Sequence, residues 1–108
     1  MNDRLLSFLG LCLRAKKLVT GAEVTVRSVA DGKSLLVLYA EDFSGNSLKP
    51  VLAAAEKYGV TALMLPRSKE ELSLALGKLC GVLSVEDRGL ADKLVKLIDA
   101  ENDTARPE

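Results

Sequence analysis

The sequence predicts an α/β protein, a three-layer α/β/α sandwich built on four strands. Segments with helical spacing of apolar residues alternate with short apolar runs along the chain. Residues 35–40 (LLVLYA) are continuously apolar, as a strand covered on both faces must be. A length of 108 residues suffices for one such domain and not for two.

The elements follow in order. Within residues 3–16, Leu5, Leu9 and Cys12 recur at i, i+4 and i+7, flanked by Leu6 and Leu13. Arg14, Lys16 and Lys17 suit the negative end of that helix's dipole. Residues 18–20 form a very short strand, which Gly21 breaks. A second helix covers 22–30, with Ala22, Val26, Val29 and Ala30 inward and Gly32 as its left-handed cap. The strand at 35–40 should be central and ends at Glu41-Asp42. A turn at 44–47 starts a third helix, with Pro50 in its first turn, where a missing N–H costs little. Leu48, Val51, Leu52 and Ala55 supply its apolar face, and Gly59 stops it.

Residues 60–65 are the next strand, ended by Pro66. Ser68 with Glu71 makes a capping box for a helix that turns Leu72, Ala75 and Leu76 inward and ends near Gly77. Residues 80–85 are the last strand. Asp87 caps a final helix in which Leu90, Leu94 and Leu97 repeat. Residues 101–108 hold no apolar residue beyond Ala105, so they read as a flexible tail behind a single domain spanning 1–100.

Composition narrows the function. The chain is 48% hydrophobic and 28% charged, which is ordinary for a globular domain. Aromatics are few (Phe8, Tyr39, Phe43, Tyr58), so no run of stacking platforms for single strands is present. Fifteen basic residues balance fifteen acidic ones. Nucleic-acid binding would therefore need a local basic patch and shape reading rather than whole-molecule attraction. With no His and two distant Cys, a zinc site is excluded, and no cofactor motif occurs. The N-terminus lacks the pattern of a signal peptide, and the longest apolar stretch falls well short of the roughly 18 residues needed to span a bilayer. A cytoplasmic, monomeric protein without membrane partners is expected.

Enzyme motifs fail on inspection. Gly32-Lys33-Ser34 resembles the end of a phosphate-binding loop, but Arg27 stands where its first Gly belongs, and helix and strand are in the wrong order. Without His, the Ser-His-Asp and Cys-His routes are closed. Glu41 and Asp42 could hold a magnesium ion or act as a base at a strand end; the plainer reading is a helix-capping turn, since no third ligand is in view. No catalytic activity is expected.

Three pieces can meet at one end of the sandwich: 20–23 with Arg27, the turn 41–43, and 77–81. Gly21 opens a helix whose first N–H groups suit a phosphate chain. Glu23 and Arg27 share its outward face, either as a solvated ion pair or as readers of base edges. Lys16, Lys17 and Lys33 could add phosphate contacts.

The order of elements, the segment KKLVTGAEVTVRSVADGKSLLVLYAEDFSGNS and the later Gly-Lys before an apolar strand resemble the L7Ae/L30e superfamily of ribosomal RNA-binding proteins, and within it the bacterial YlxQ-type branch. The resemblance covers roughly residues 4–98. It implies an α/β/α sandwich with a mixed sheet, and a protein that binds kink-turn or bulged RNA as a ribosomal or ribosome-associated component. In the family, an Asn-Glu pair after the helix-opening Gly reads sheared G·A pairs, a Lys along the helix helps, and a late apolar loop covers a flipped-out nucleotide. Carried over, Gly21 falls on that Gly, Glu23 on the Asn, Val24 on the Glu and Arg27 on the Lys. Lys78, Leu79 and Cys80 fall on the late loop. The implied RNA-binding set is Lys17, Thr20, Gly21, Ala22, Glu23, Arg27, Lys33, Lys78, Leu79 and Cys80. Two positions depart: Val24 cannot accept a hydrogen bond from guanine, and Glu23 offers only acceptors where Asn also donates. The alternative to RNA binding is a protein-interaction module on the same fold.

Overall fold

The computed structural model describes residues 3–105, with side chains through Asn102. Its elements run α1 (Arg4–Arg14), β1 (Leu18–Thr20), α2 (Ala22–Ala30), β2 (Leu36–Ala40), α3 (Gly45–Tyr58), β3 (Ala62–Leu65), α4 (Lys69–Leu76), β4 (Val82–Val85) and α5 (Arg88–Ala105). The strands form one sheet in the order β1-β4-β2-β3. β2 runs parallel to β3 and antiparallel to β4, and β1 is antiparallel to β4. The sheet is therefore mixed, and β2 and β4 are its inner strands.

Alternation along the inner strands divides the core in two. Leu36 and Leu38 of β2, with Leu83 and Val85 of β4, pack against Leu5 and Leu9 of α1, Leu72 of α4 and Leu94 of α5. Val37 and Val82 face the other way, against Val29 of α2 and Val51 of α3. These are the three layers, and LLVLYA is buried on both faces because helices cover both sides of the sheet. Ser84 is the polar exception on β4. Its hydroxyl shares a hydrogen bond of 2.9 Å with the Ser28 hydroxyl, which also donates to Glu86 Oε2 at 2.5 Å. Burial of both serines is offset in this way.

The helix ends follow the sequence signals. Asp3 caps α1, accepting from the Leu6 amide at 3.0 Å. Ser68 and Glu71 form the capping box of α4. Asp87 accepts from the Leu90 amide at 2.9 Å and starts α5. Gly32, at φ +77°, follows the C-cap of α2 in the left-handed conformation.

Several details differ from the sequence expectation. Pro50 lies in the second turn of α3, because that helix begins at Gly45. Ala30 and Leu52 face solvent; Thr25 and Ser28 take inward places on α2 instead. Thr25 and Ser34 each keep a buried hydroxyl without a partner. On α5 the deepest residues are Ala91, Leu94 and Ile98, with Leu90 and Leu97 at the margin. β4 begins at Val82 rather than at residue 80, because the Ser73 hydroxyl takes both backbone groups of Cys80: it accepts from the amide at 2.9 Å and donates to the carbonyl at 3.2 Å. The tail expected from residue 101 is helical through Ala105, and Glu101 is bound to Arg67. Residues 106–108 lie outside the described residues.

Candidate functional site

β1, β2 and β3 end on the same edge of the sandwich, where β4 begins. Backbone hydrogen bonds pin the loops there. The Gly21 amide donates to the Val82 carbonyl at 2.9 Å, and the Ala40 amide donates to the Gly81 carbonyl at 2.8 Å. The three segments expected to converge therefore do so. They open a cleft of about 650 Å³, lined by Gly21 and Ala22 on one side, Phe43 and Ser47 on another, and Leu79 and Gly81 on a third. This is the position where open α/β sheets carry ligands, outside the carboxyl ends of strands.

Gly21 sets the geometry of the opening. Its φ of +105° and ψ of 150° lie in a region essentially reserved for glycine. This conformation turns the chain from β1 directly into α2. The protein supplies no side-chain cap there, and the amides of Ala22, Glu23 and Val24 receive no acceptor from it. Three N–H groups with partial positive charge thus stand open at the start of α2, where Ala22 lines the cleft.

Gly81 shapes the floor. A Cβ at this position would lie 2.4 Å from the Phe43 ring. Glycine leaves room for the ring beside the start of β4, so the floor there is apolar. Asp42 is engaged elsewhere: its Oδ1 accepts from the Lys69 amide at 2.8 Å and helps cap α4. Among the described residues no group of three or more metal-ligating side chains exists, so Glu41 and Asp42 have no third ligand.

The rim carries exposed apolar side chains. Leu79 is 94% exposed and Leu74 72%. Lys78 stands beside Leu79 in the same exposed loop. Cys80 is buried; its thiol points to the Val82 carbonyl at 3.5 Å, and burial raises its pKa. It acts as a neutral wall rather than a reactive group. Cys12, in the core, is likewise pushed up to about 11 by burial and by the Asp87 charge.

A second groove, of about 620 Å³, continues from the first across the α2–α3 boundary. Ala22 and Ser47 belong to both. Glu23, Arg27 and Pro50 line the extension. Glu23 and Arg27 are exposed, share a face one turn apart and form no ion pair within 4 Å with each other. Val24 is 45% exposed on the neighbouring flank.

The structure does not bring every candidate to this end. Lys17 and Lys33 sit at the opposite end of the sheet, where the Glu86 amide bonds the Lys17 carbonyl and the Leu35 amide bonds that of Val85. Lys33 instead joins Arg27 and Val24 along the outer flank of α2. Thr20 is half-buried at the end of β1, paired with Leu83, and does not line the cleft. Sequence reasoning missed the α4 wall: Lys69, Glu70, Ser73 and Leu74. Leu74 breaks the inward stripe of that helix, and that is the one local signal for it.

Comparison with known proteins gives concordant matches. The model of the ribosomal protein L7Ae/L30e/S12e/Gadd45 family matches residues 3–95. A protein from Bacillus subtilis (strain 168) named RNA-binding protein YlxQ is 35% identical over 96 residues, covering 84% of this chain and 91% of its own. One of the same name from Enterococcus faecium is 33% identical over 98 residues, covering 91% and 94%. A solved structure of a protein with unknown function from Bacillus halodurans C superposes with TM-score 0.82 at 34% identity, covering 89% of this chain and 97% of that one. The Giardia lamblia 15.5kD RNA binding protein shares the fold, with TM-score 0.69 at 23% identity over 93% of this chain and 92% of its own.

Proposed function

The chain belongs to the L7Ae/L30e/S12e/Gadd45 family, and from that premise we propose that it binds structured RNA at the cleft where α2 begins. It is a binding protein of this family rather than an enzyme; its relatives from Bacillus subtilis and Enterococcus faecium are named as RNA-binding proteins. The observation that carries the reading is the pairing of open N–H groups with an apolar floor. The amides of Ala22, Glu23 and Val24 offer donors to phosphate oxygens. Phe43, Leu79 and Leu74 offer apolar surface to an unstacked base. A duplex with a bulge or a kink presents both features at one place, and an uninterrupted duplex does not. Ribosomal RNA, rich in such interruptions, is the target class we propose.

Arg27 on α2, with Lys69 and Lys78 around the cleft, are the cations we propose to meet phosphates. Acidic residues stand among them, so the contact is local. Titration of a bulged RNA duplex should give a log–log salt slope of about −2 to −4, one unit or slightly less per phosphate contacted. The uninterrupted duplex of the same sequence should bind at least about ten-fold more weakly. Equal affinity for the two would remove the cleft from the account.

A protein-docking face is the second reading, favoured by the exposure of Leu79 and Leu74. It predicts no salt-dependent binding to either RNA and partners that survive nuclease treatment.

A further inference from the structure

The geometry points to a second RNA surface at the end of the sheet opposite the cleft, where exposed lysines take the phosphates of another RNA segment, so that one molecule holds two. This rests on the RNA-binding reading above and adds a second segment to it. Three loops meet at that end. The Glu86 amide donates to the Lys17 carbonyl at 2.8 Å, and the Leu35 amide donates to the Val85 carbonyl at 2.8 Å. The Lys33 amide donates to the Ser28 carbonyl at 3.0 Å, and the Ser28 hydroxyl donates to Glu86. Arg14, Lys16 and Lys17 lie on or beside the first loop, Lys33 on the second, and Arg88 just after the third. All five are exposed. None of them makes an ion pair among the described residues.

The charge balance there favours a phosphate chain. The protein carries no net charge, but its signs are not spread evenly. Around the cleft, Glu23, Asp42 and Glu70 stand among the cations. In the three far loops, Asp31 is the one exposed carboxylate. Glu86 and Asp87 are half-buried, bound by the Ser28 hydroxyl and the Leu90 amide. Asp92 lies one turn along α5 from Arg88, so the positive charge centres on the three lysines. Among the described residues, Lys16 alone is a non-glycine with positive φ, at +62°. Glycine usually fills such a place after a helix, because it is unstrained there. The turn thus carries a lysine at a conformational cost that glycine would avoid. Lysines are flexible point charges, and they hold a sugar–phosphate backbone without reading its sequence. No large exposed apolar side chain lies in these loops, which argues against a lipid surface, where stable anchoring takes an apolar signal besides charge. The cleft and these loops cap opposite ends of the strands, so each is approached from its own side.

The test saturates the protein with an unlabelled bulged RNA duplex, then titrates in a short, labelled, uninterrupted duplex and reads its anisotropy. Wild type should form the ternary complex with a Kd of about 1–100 µM and a log–log salt slope of about −3 to −4. A triple variant, Lys16→Gly with Lys17→Gln and Lys33→Gln, removes the lysine charges. Glycine suits φ +62°, so the turn at residue 16 is kept. This variant should bind the uninterrupted duplex at least about ten-fold more weakly, with the slope reduced by about 2 to 3 units, and the bulged duplex within about two-fold of wild type. Three results overturn the second surface while leaving the cleft intact: displacement of the bulged duplex by the uninterrupted one, no ternary complex at low salt, or a triple variant with wild-type affinity for the uninterrupted duplex. Binding to vesicles of anionic lipid without a ternary RNA complex reassigns the lysines to a membrane and overturns it as well. Failure of the wild type to bind the bulged duplex at low salt overturns the RNA-binding reading, and this one with it.

Discussion

Replacing Arg67 with methionine should destabilise the fold by about 2–3 kcal/mol, read as a lowered urea midpoint with an unchanged slope. Every N–H of this guanidinium has an acceptor. Nε donates to Asp3 Oδ2 at 2.7 Å, and Nη2 to Asp3 Oδ1 at 3.1 Å. Nη1 and Nη2 each donate to Glu101 at 2.7 Å, and Nη1 also reaches the Pro66 carbonyl at 2.5 Å. One side chain thus ties the start of α1 and the late part of α5 to the loop before α4. Breaking a fully buried ion pair costs about 3–5 kcal/mol. The figure here is smaller because the Glu101 side chain is 37% exposed and water screens it.

The same cluster has a pH signature. The Arg67 hydrogen bonds, helped by the Leu6 amide, outweigh burial and hold the Asp3 carboxyl below its ordinary value. A carboxyl lowered in the folded state stabilises the fold fully above its unfolded pKa of about 4. That contribution is lost as pH falls through the lowered folded value. Wild type and Arg67→Met should therefore differ most at neutral pH and converge in acid. A constant difference from pH 7 to pH 2 would mean that Asp3 is not engaged in this way.

The second large effect falls on Gly21. Gly21→Val should cost about 1–3 kcal/mol of stability and lower affinity for bulged RNA at least about ten-fold. Nothing lies within 4 Å of a Cβ built at Gly21, so the cost is conformational and not a clash. At φ +105° a β-branched L-residue is strained. Relief comes by turning the first peptide of α2, which swings the open amides away from the rim. Equilibrium unfolding gives the first quantity, and titration of the bulged duplex below the unfolding temperature gives the second. Unchanged affinity in a folded Gly21→Val protein would detach the α2 opening from RNA binding.

Most of the architecture was legible because its signals are local. The capping box at Ser68, the N-cap at Asp87 and the left-handed Gly32 are written in a few residues each, and all three stand where expected. LLVLYA announced its central place by having no polar alternation. The boundary of β4 was not legible, because it depends on Ser73 reaching Cys80 across a turn. Nor was the Arg67 cluster, whose partners lie 64 and 34 residues away. The convergence of 20–23, 41–43 and 77–81 could be anticipated, since strand ends and glycines marked the loops. The placement of Lys17 and Lys33 could not. Proximity to Gly21 along the chain suggested a shared site, yet β1 and α2 carry these lysines to the far end of the sheet. Likewise, the i,i+4 spacing of Glu23 and Arg27 left open whether they pair; the structure keeps them apart.

Amide chemical-shift mapping of the protein against a bulged RNA duplex tests the cleft most directly. The largest shifts are expected at Ala22, Glu23, Val24, Ser47, Leu79 and Gly81, with the α1–α5 face around Leu11 and Lys93 silent. Shifts concentrated on the α1–α5 face, with the Ala22–Val24 amides unmoved at saturation, would rule out RNA binding at the cleft.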